Sequence, residues 1–391
     1  MKHALNATDI KRTNQRLILD AIFQSGTTSR TQLSKDLQLS KPAISDNLQK
    51  LLDLGIVTEI GEGSAGPAGG RKSILLQFNP RHRYIVAVNL NFANPMFVLA
   101  DLNGDIYNSF DITIARETSA EDCGALILDG IRVLLQALGT ERDSVFCIAV
   151  AAPGVFNPEG ELTRFSTSCC GPAWWKLNLK KIIAKAFSLP VIVYNDVKAA
   201  TLGEWTRGAG GREKNLIYLH AGLGIGAGII LNEKPLMGET FSAGEIFDYY
   251  DPANAQGGRT LEDTICMDAL KEQCIAADGS PFAGRKQVSM EEIIAAYSDG
   301  NSAVVGVVEE ICRRLAILSH NYMNFIAVNH IVFGGDYVPF GDCFARHLRE
   351  LFEGSLWPAP DIRMSVLGKY AGNQGMVCLA RKRYFQEVCD R

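Results

Sequence analysis

The same order of predicted elements occurs twice after residue 84, and this repeat constrains the fold most strongly. The first copy has strands at 84–91, 95–102 and 105–114, and then alternating helices and strands at 119–138, 144–151, 177–187, 191–194 and 197–207. The second copy has paired strands at 215–220 and 225–231, a helix at 303–325, a strand at 331–333, and further helices and a strand to 383. Strand meanders followed by alternating helices and strands indicate an α/β fold, and two copies predict a duplicated body with a cleft between two lobes.

A different pattern precedes the repeat, in residues 29–55. Leu33 and Leu37 share one face of a short helix, and Ile44 and Leu48 begin an apolar stripe on a second helix. Ser40 is a good N-cap for that second helix. The spacing predicts a helix-turn-helix whose second helix lies in a DNA major groove. From this stretch alone, an ordinary helical hairpin remains the alternative.

The residues that follow favour the DNA-binding interpretation. Short strands at 56–60 and 71–78 flank a loop of Gly, Ser, Ala and Pro at 61–70, which is the pattern of a winged helix. Arg71 and Lys72 end this loop and can approach phosphates or a minor groove, although a solvated turn is the ordinary alternative. Residues 1–80 carry ten Lys and Arg against seven Asp and Glu, whereas the whole chain has a net charge of −4. A basic head on an acidic body suits a DNA-binding domain joined to a body that does not touch DNA.

Composition excludes several classes of protein. The chain is 47% apolar and 21% charged, as is usual for globular proteins, and it has no apolar run long enough for a signal peptide or a membrane span. Its ten cysteines include no CxxC pair, so free thiols in a reducing cytoplasm are expected.

The predicted domains are a winged helix at 1–80, a first lobe at 81–208, and a second lobe at 209–391 with a mainly helical insertion at about 248–300.

Six short motifs occur in order along the body. They are APG at 152–154, YNDVKAATLGE at 194–204, AGLGIGAGIILN at 221–232, SAGEI at 242–246, LED at 261–263 and FGGD at 333–336. In order and spacing they resemble the ROK family of bacterial repressors and sugar kinases, over nearly the whole chain. The resemblance implies an actin/hexokinase-like (ribonuclease H-like) body, and the family's repressors carry an N-terminal winged helix.

The kinase machinery of that family is degenerate in this chain. The DxGGT phosphate loop of the kinases corresponds to Asn89-Leu90-Asn91-Phe92-Ala93, without the Mg²⁺-binding Asp, the glycines or the Thr. The second phosphate loop, GTGxG, reads GLGIG at 222–226, where the glycines equally suit a hairpin turn. Phosphoryl transfer depends on positioning and charge stabilisation, so these losses predict that the protein is not an enzyme.

The sugar-binding side of the resemblance is better preserved. Asp196 matches the family's catalytic base, Asn195 lies beside it, and Glu245 and Glu262 match two further sugar contacts. Carboxylates and an amide suit a polyol because they accept hydrogen bonds from hydroxyl groups. Without the resemblance, Asp196 as a simple helix N-cap is the alternative.

Other family features are absent. Phe247 and Asp248 stand where the family has a His that binds zinc and sugar, and every cysteine of the zinc loop is replaced at 253–260. A structural zinc site needs about four ligands, so neither zinc nor another cofactor is predicted; packing through Phe247, Tyr249 and Tyr250 would hold the loop instead. A pocket Asn of the family is also missing, since SCCGPA occupies 168–173.

The sequence therefore predicts a cytoplasmic bacterial repressor of carbohydrate-metabolism genes with a sugar or sugar derivative as effector. It would bind a palindromic double-stranded operator as a homodimer or homotetramer. The alternatives are a sugar kinase and a ligand-independent DNA-binding or scaffold protein. The predicted DNA contacts are Arg30, Ser40, Lys41, Ser45, Gln49, Arg71 and Lys72.

Overall fold

The computed structural model describes residues 7–63, 72–91, 94–165, 173–249, 260–354 and 358–390. Most of the predicted wing loop with Arg71, most of the SCCGPA segment, and Tyr250 with nearly all of the altered zinc loop lie outside these ranges. Within them, the predicted class is confirmed: a winged helix-turn-helix precedes a two-lobed α/β body.

The N-terminal head forms three helices and a small antiparallel sheet. Its elements are α1 (Ala7–Ser25), β1 (Thr27–Ser29), α2 (Arg30–Asp36), α3 (Lys41–Asp53), β2 (Val57–Glu62) and β3 (Ile74–Phe78), with sheet order β1-β3-β2. Ser40 caps α3 by accepting the Ala43 N–H at 3.3 Å, as predicted. The predicted bounds of the wing were wrong by a few residues, because β2 continues to Glu62 and β3 begins only at Ile74.

The first lobe is built on a five-stranded mixed sheet. Its elements are β4 (Tyr84–Asn89), β5 (Met96–Asp101), β6 (Ile106–Asp111), α4 (Ala120–Ala137), β7 (Val145–Ala152), β8 (Val155–Phe156), β9 (Leu162–Arg164), α5 (Leu179–Phe187), β10 (Val191–Asn195) and α6 (Asp196–Arg207). The sheet order is β10-β7-β4-β5-β6, with β4, β7 and β10 parallel and the meander β4–β5–β6 antiparallel.

The second lobe repeats this arrangement. Its elements are β11 (Leu216–Ala221), β12 (Ile225–Leu231), β13 (Lys234–Pro235), α7 (Glu262–Ile265), α8 (Met267–Ala276), α9 (Met290–Ser298), α10 (Ser302–Ile326), β14 (His330–Gly334), α11 (Gly341–Phe352), β15 (Asp361–Met364) and α12 (Ala371–Asp390). The sheet order β13-β12-β11-β14-β15 matches that of the first lobe strand for strand. The predicted duplication is thus confirmed, and α7 to α9 form the helical insertion.

Two helices, α6 and α12, pack together at the centre of the body. Their backbones approach closely at two glycines: a Cβ on Gly375 would lie 1.7 Å from the Ala199 carbonyl oxygen, and one on Gly203 would lie 2.2 Å from that of Ala371. α12 also packs on β4 and β7 of the first lobe, whereas α6 also packs on β12 of the second. The pair therefore connects the two lobes.

Two further expectations concern membranes and thiols. Among the described residues, no helix combines the length and the apolar character that crossing a membrane requires. The eight cysteines within the described ranges are free and buried, in agreement with the predicted thiols.

Candidate functional site

A cleft of about 310 Å³ lies between the two lobes. The first lobe contributes the ends of β4 and β10, and the second contributes the β11–β12 turn, the segment before Phe247 and the end of β14. All four predicted ligand-binding residues line this cleft: Asn195, Asp196, Glu245 and Glu262. The chain thus brings together residues that lie up to 67 positions apart.

Asn195 and Asp196 lie where β10 passes into α6. The Asn195 side chain caps α6 by accepting the Lys198 N–H at 2.8 Å, and its amide donates to the Gly154 carbonyl at 3.0 Å. The alternative that Asp196 is the N-cap was therefore wrong, since Asn195 holds that position and Asp196 is the first helical residue. Asn195 positions the APG loop and the helix, while the Asp196 carboxylate lines the cleft.

Burial, with a smaller contribution from the nearby Glu245 carboxylate, raises the pKa of Asp196 to about 7, although the Val197 N–H donates to Asp196 Oδ1 at 2.9 Å. Near neutral pH this carboxyl group exists in both its protonated and its ionised form. It can therefore donate or accept a hydrogen bond in the cleft.

Glu245 forms a buried ion pair that the sequence did not reveal. Lys198 Nζ lies 2.6 Å from Glu245 Oε1, and the two side chains are only 4% and 11% exposed. Gly244, at φ +84°, presses against the Ala227 backbone and so fixes Glu245 beside β12. The pair leaves the second Glu245 oxygen for a ligand and partly neutralises the acidic cleft. The only sequence signal for it is a lysine two positions after Asp196, followed directly by two alanines.

Glu262 connects the insertion to the glycine turn. It begins α7, is 3% exposed, and accepts the Ile225 N–H at 3.1 Å. The GLGIG segment forms the β11–β12 hairpin, with the Gly222 N–H donating to the Gly224 carbonyl. The interpretation of the glycines at 222–226 as a hairpin turn is thus confirmed.

The side of the cleft that corresponds to the phosphate site of the kinases is poor in cations. Two buried atoms there, Asn89 Oδ1 and His220 Nδ1, have no hydrogen-bond partner among the described residues. Burial lowers the pKa of His220, so its imidazole is neutral. Asp336 adds a carboxylate, and Lys369 lies near the rim, ion-paired with Asp111 at 3.1 Å.

The segment around Phe247 and Tyr249 is held in part by aromatic packing. Phe247 is buried and lies under the Arg164 guanidinium at 5.3 Å, and Tyr249 packs edge-on against Tyr322 at 5.6 Å. The Leu261 N–H donates to the Tyr249 carbonyl at 2.6 Å, which joins the two ends of the loop. These contacts agree with the predicted packing through Phe247 and Tyr249.

The head presents the predicted polar face of α3 to solvent. Ile44, Leu48 and Leu51 are fully buried. Three of the predicted base-contacting side chains, Lys41, Ser45 and Gln49, are exposed at four-residue spacing and so lie on one face. Ser40 is exposed at the helix N-terminus, where phosphate contacts are common.

The predicted phosphate-contacting cations have acidic neighbours. Arg30 pairs with Glu59 at 2.9 Å, and Lys72 lies 3.5 Å from Glu62. These ion pairs between partly or fully exposed groups are weak, so a phosphate can compete for either cation.

The head and the first lobe share one hydrophobic core. Phe23 of α1, Phe78 of β3 and Phe385 of α12 form an edge-to-face cluster with centroid distances of 5.4 to 5.9 Å. The buried Arg381 lies 4.1 Å from the Phe23 ring centre and donates to the Leu102 carbonyl. The orientation of the head is therefore coupled to α12.

A winged helix docked on a duplicated, two-lobed body with an acidic cleft defines a regulator class built on a sugar-kinase fold. The ROK family model matches residues 86–383, and the chain belongs to that family. A helix-turn-helix model described as a bacterial regulatory protein of the arsR family matches residues 13–59.

The similar proteins include both repressors and sugar kinases. The chain is 25% identical to the xylose repressor of Caldicellulosiruptor bescii, over 88% of each chain. It is 26% identical to a glucokinase of Halalkalibacterium halodurans, over 74% of this chain and 92% of that one. The fold matches the crystal structure of a ROK family transcriptional regulator, a homologue of the E. coli MLC protein, with a TM-score of 0.79 over 97% of this chain and 98% of that one at 24% identity.

Proposed function

We propose that this protein is a transcriptional repressor of sugar-metabolism genes, with a winged helix that binds operator DNA and a cleft that binds a sugar effector. One observation carries the proposal. A single chain holds both an exposed polar recognition helix and a cleft lined by carboxylates, and a shared hydrophobic core joins the head to the body that contains the cleft. The similarity to the xylose repressor of Caldicellulosiruptor bescii extends over 88% of this chain.

Sugar binding is supported by the chemistry of the cleft. Carboxylate oxygens accept hydrogen bonds from hydroxyl groups, and Asn89 and His220 offer further polar atoms that lack partners among the described residues. Buried polar groups are rarely left unpaired, so a ligand or water that satisfies them is favoured. D-xylose and D-glucose are the first sugars to test, because relatives are named as a xylose repressor and a glucokinase.

Phosphoryl transfer is not part of the proposal. A kinase must neutralise the phosphates of ATP, yet the described lining residues include acidic Asp336 and only one lysine, which is already ion-paired. Asn89 stands at the position of the Mg²⁺-binding Asp. The protein instead uses ligand binding to change the position of its head.

Such a regulator acts as a symmetric dimer or tetramer on a palindromic operator, because two heads must reach two half-sites of DNA. A sugar that binds one arrangement of the lobes more tightly changes the spacing of the heads.

Binding of the full-length protein to its own upstream DNA tests the proposal, measured by fluorescence anisotropy between 50 and 200 mM salt. We expect the affinity to fall by about 10³-fold or more over this range if the dimer contacts six or more phosphates.

Gln49→Ala should weaken specific binding about tenfold and leave non-specific binding unchanged. Lys181→Ala, on the exposed surface of α5, serves as the control and should have no effect. Absence of binding at 50 mM salt would exclude a repressor.

A further inference from the structure

The facing sides of α10 and α11 hold four side chains with metal-binding atoms, far along the chain from the zinc loop of the family. Glu309 and Cys312 lie three residues apart on α10, and Cys343 and His347 lie four apart on α11, so each pair projects from one helical face. One ligand atom each of Glu309, Cys343 and His347 lies within 4.8 Å of the others. The Cys312 thiol neighbours the Cys343 thiol and donates to the Phe340 carbonyl at 3.7 Å, so this fourth donor lies beside the group of three and must turn toward it to bind the same ion.

The donor set matches a known metal preference. Two thiolates, one imidazole and one carboxylate are the ligands of tetrahedral zinc, with bonds of about 2.0 to 2.3 Å. Thiolates select zinc and copper(I) over magnesium and calcium, which prefer oxygen ligands alone. Small movements of long side chains can bring atoms that lie within 4.8 Å of one another onto one ion.

The burial of the cluster also suits a metal ion. Cys312 and Cys343 are 1% and 4% exposed, so the sulfur side of the cluster is dry. The side chains of His347 and Glu309 are 15% and 33% exposed and leave an entry path from solvent. A metal ion could therefore enter past the partly exposed His347 and Glu309 side chains. Once bound to the buried thiols, it would be shielded from solvent.

A metal ion would rearrange the present contacts of the cluster, in which Arg346 approaches Cys343 Sγ at 3.9 Å. Arg346 donates to both oxygens of Glu309 at 2.6 Å, and His347 Nε2 lies 2.7 Å from Glu309 Oε2. A metal would take the place of the His347–Glu309 contact. Arg346 can remain on one oxygen of Glu309 and orient the other, as hydrogen bonds to metal-binding carboxylates commonly do.

We propose that Glu309, Cys312, Cys343 and His347 form a zinc site that joins α10 to α11. The sequence prediction of no zinc rested on the loop at 253–260 and on cysteines close together in sequence, whereas these thiols are 31 positions apart. Phe344, adjacent to Cys343, stacks on Phe333 at 4.3 Å, and β14 then leads to Gly335 and Asp336 in the cleft. The metal would therefore rigidify the second lobe behind its ligand-binding edge.

A second cluster of potential ligands provides a matched control. Glu213, His330 and Asp361 also lie within 4.8 Å of one another. This cluster has no thiol, however, and thiolates are the ligands that select zinc over magnesium and calcium. Zinc should not depend on this second site, so His330→Asn is the control variant.

The test measures metal bound to the full-length protein in reducing buffer after incubation with zinc and gel filtration. We expect one zinc per chain, and cobalt in its place should give a thiolate-to-metal charge-transfer absorption. Cys343→Ser and His347→Asn should each lose the metal and the absorption, whereas His330→Asn should keep both. Circular dichroism verifies that each variant folds. If a variant does not fold, Glu309→Gln, at a partly exposed position, is used in its place. A wild-type protein that retains no zinc, or folded variants that retain it fully, would overturn the proposal.

Discussion

At the scale of single residues, Asp196 is a cleft carboxyl group whose pKa is strongly raised. Its pKa of about 7 in the folded protein, caused mainly by burial, lies above the ordinary value of 3.8. Between these two pH values the folded state holds a proton that the unfolded state has lost. The contribution of Asp196 to stability therefore falls as the pH rises from about 4 to about 7.

Asp196→Asn should remove this pH dependence, because an amide has no proton to lose. We expect the melting temperature of the variant, relative to wild type, to be higher at pH 8 than at pH 5 by about 2 °C or more. Calorimetry at both pH values measures this difference, and the exposed Asp278→Asn is the matched control. An equal difference between variant and wild type at the two pH values would show that the Asp196 carboxyl group titrates normally.

The sequence allowed the positions of the cleft carboxylates to be predicted, but not their partners. Asp196, Glu245 and Glu262 could be placed because each lies in a short motif of the family. The pairing of Lys198 with Glu245 joins two elements 47 positions apart, and it depends on how β12 and α6 pack. Side-chain pairing across elements is a property of tertiary structure that local patterns do not contain.

At the scale of elements, the close packing of α6 and α12 depends on glycine. A side chain at Gly375 has no space, because its Cβ would overlap the Ala199 carbonyl, and α6 would have to move away from α12. The first residue of α6 is Asp196 in the cleft, and α12 ends on the aromatic cluster below the head. A change in the spacing of α6 and α12 would therefore change the position of the cleft relative to the head.

Gly375→Ala should destabilise the protein by about 1 to 3 kcal/mol through overpacking at this contact. The matched control is Gly306→Ala in α10, where an added Cβ meets nothing within 4 Å. Alanine is the better helix former, so this control should be neutral or up to about 1 kcal/mol more stable. Chemical denaturation measures both values. A stability of Gly375→Ala equal to that of wild type would show that the two helices can separate without cost.

The long elements were predictable because their apolar periodicity extends over many residues. The helices of the two lobes and the strands of both meanders lie within a few residues of their predicted positions. The strands β1, β8, β9 and β13 were missed, since each has only two or three residues and is defined by its pairing partner. Their formation depends on tertiary contacts rather than on local preference.

At the scale of the whole molecule, the shared core makes the head and the first lobe one packed unit. The apolar residues of α1, α3 and β3 are continuous with those of β4, β5, β7 and α12. Under the proposed function, a sugar that drew the second lobe toward the first would change the contacts of α6 with α12, and through α12 it would change the contacts of the head. Coupling between a ligand site and a DNA site of this kind is usually about 1 to 3 kcal/mol.

The most direct test measures the affinity of the full-length protein for its upstream DNA with and without each sugar of a panel that begins with D-xylose and D-glucose. We expect one sugar to change the dissociation constant of the wild type by about 5-fold or more. Asp196→Asn should abolish that change, whereas Asp278→Asn should preserve it. A DNA affinity that no sugar alters, or a sugar effect that persists in Asp196→Asn, would contradict the claim that the cleft controls the head.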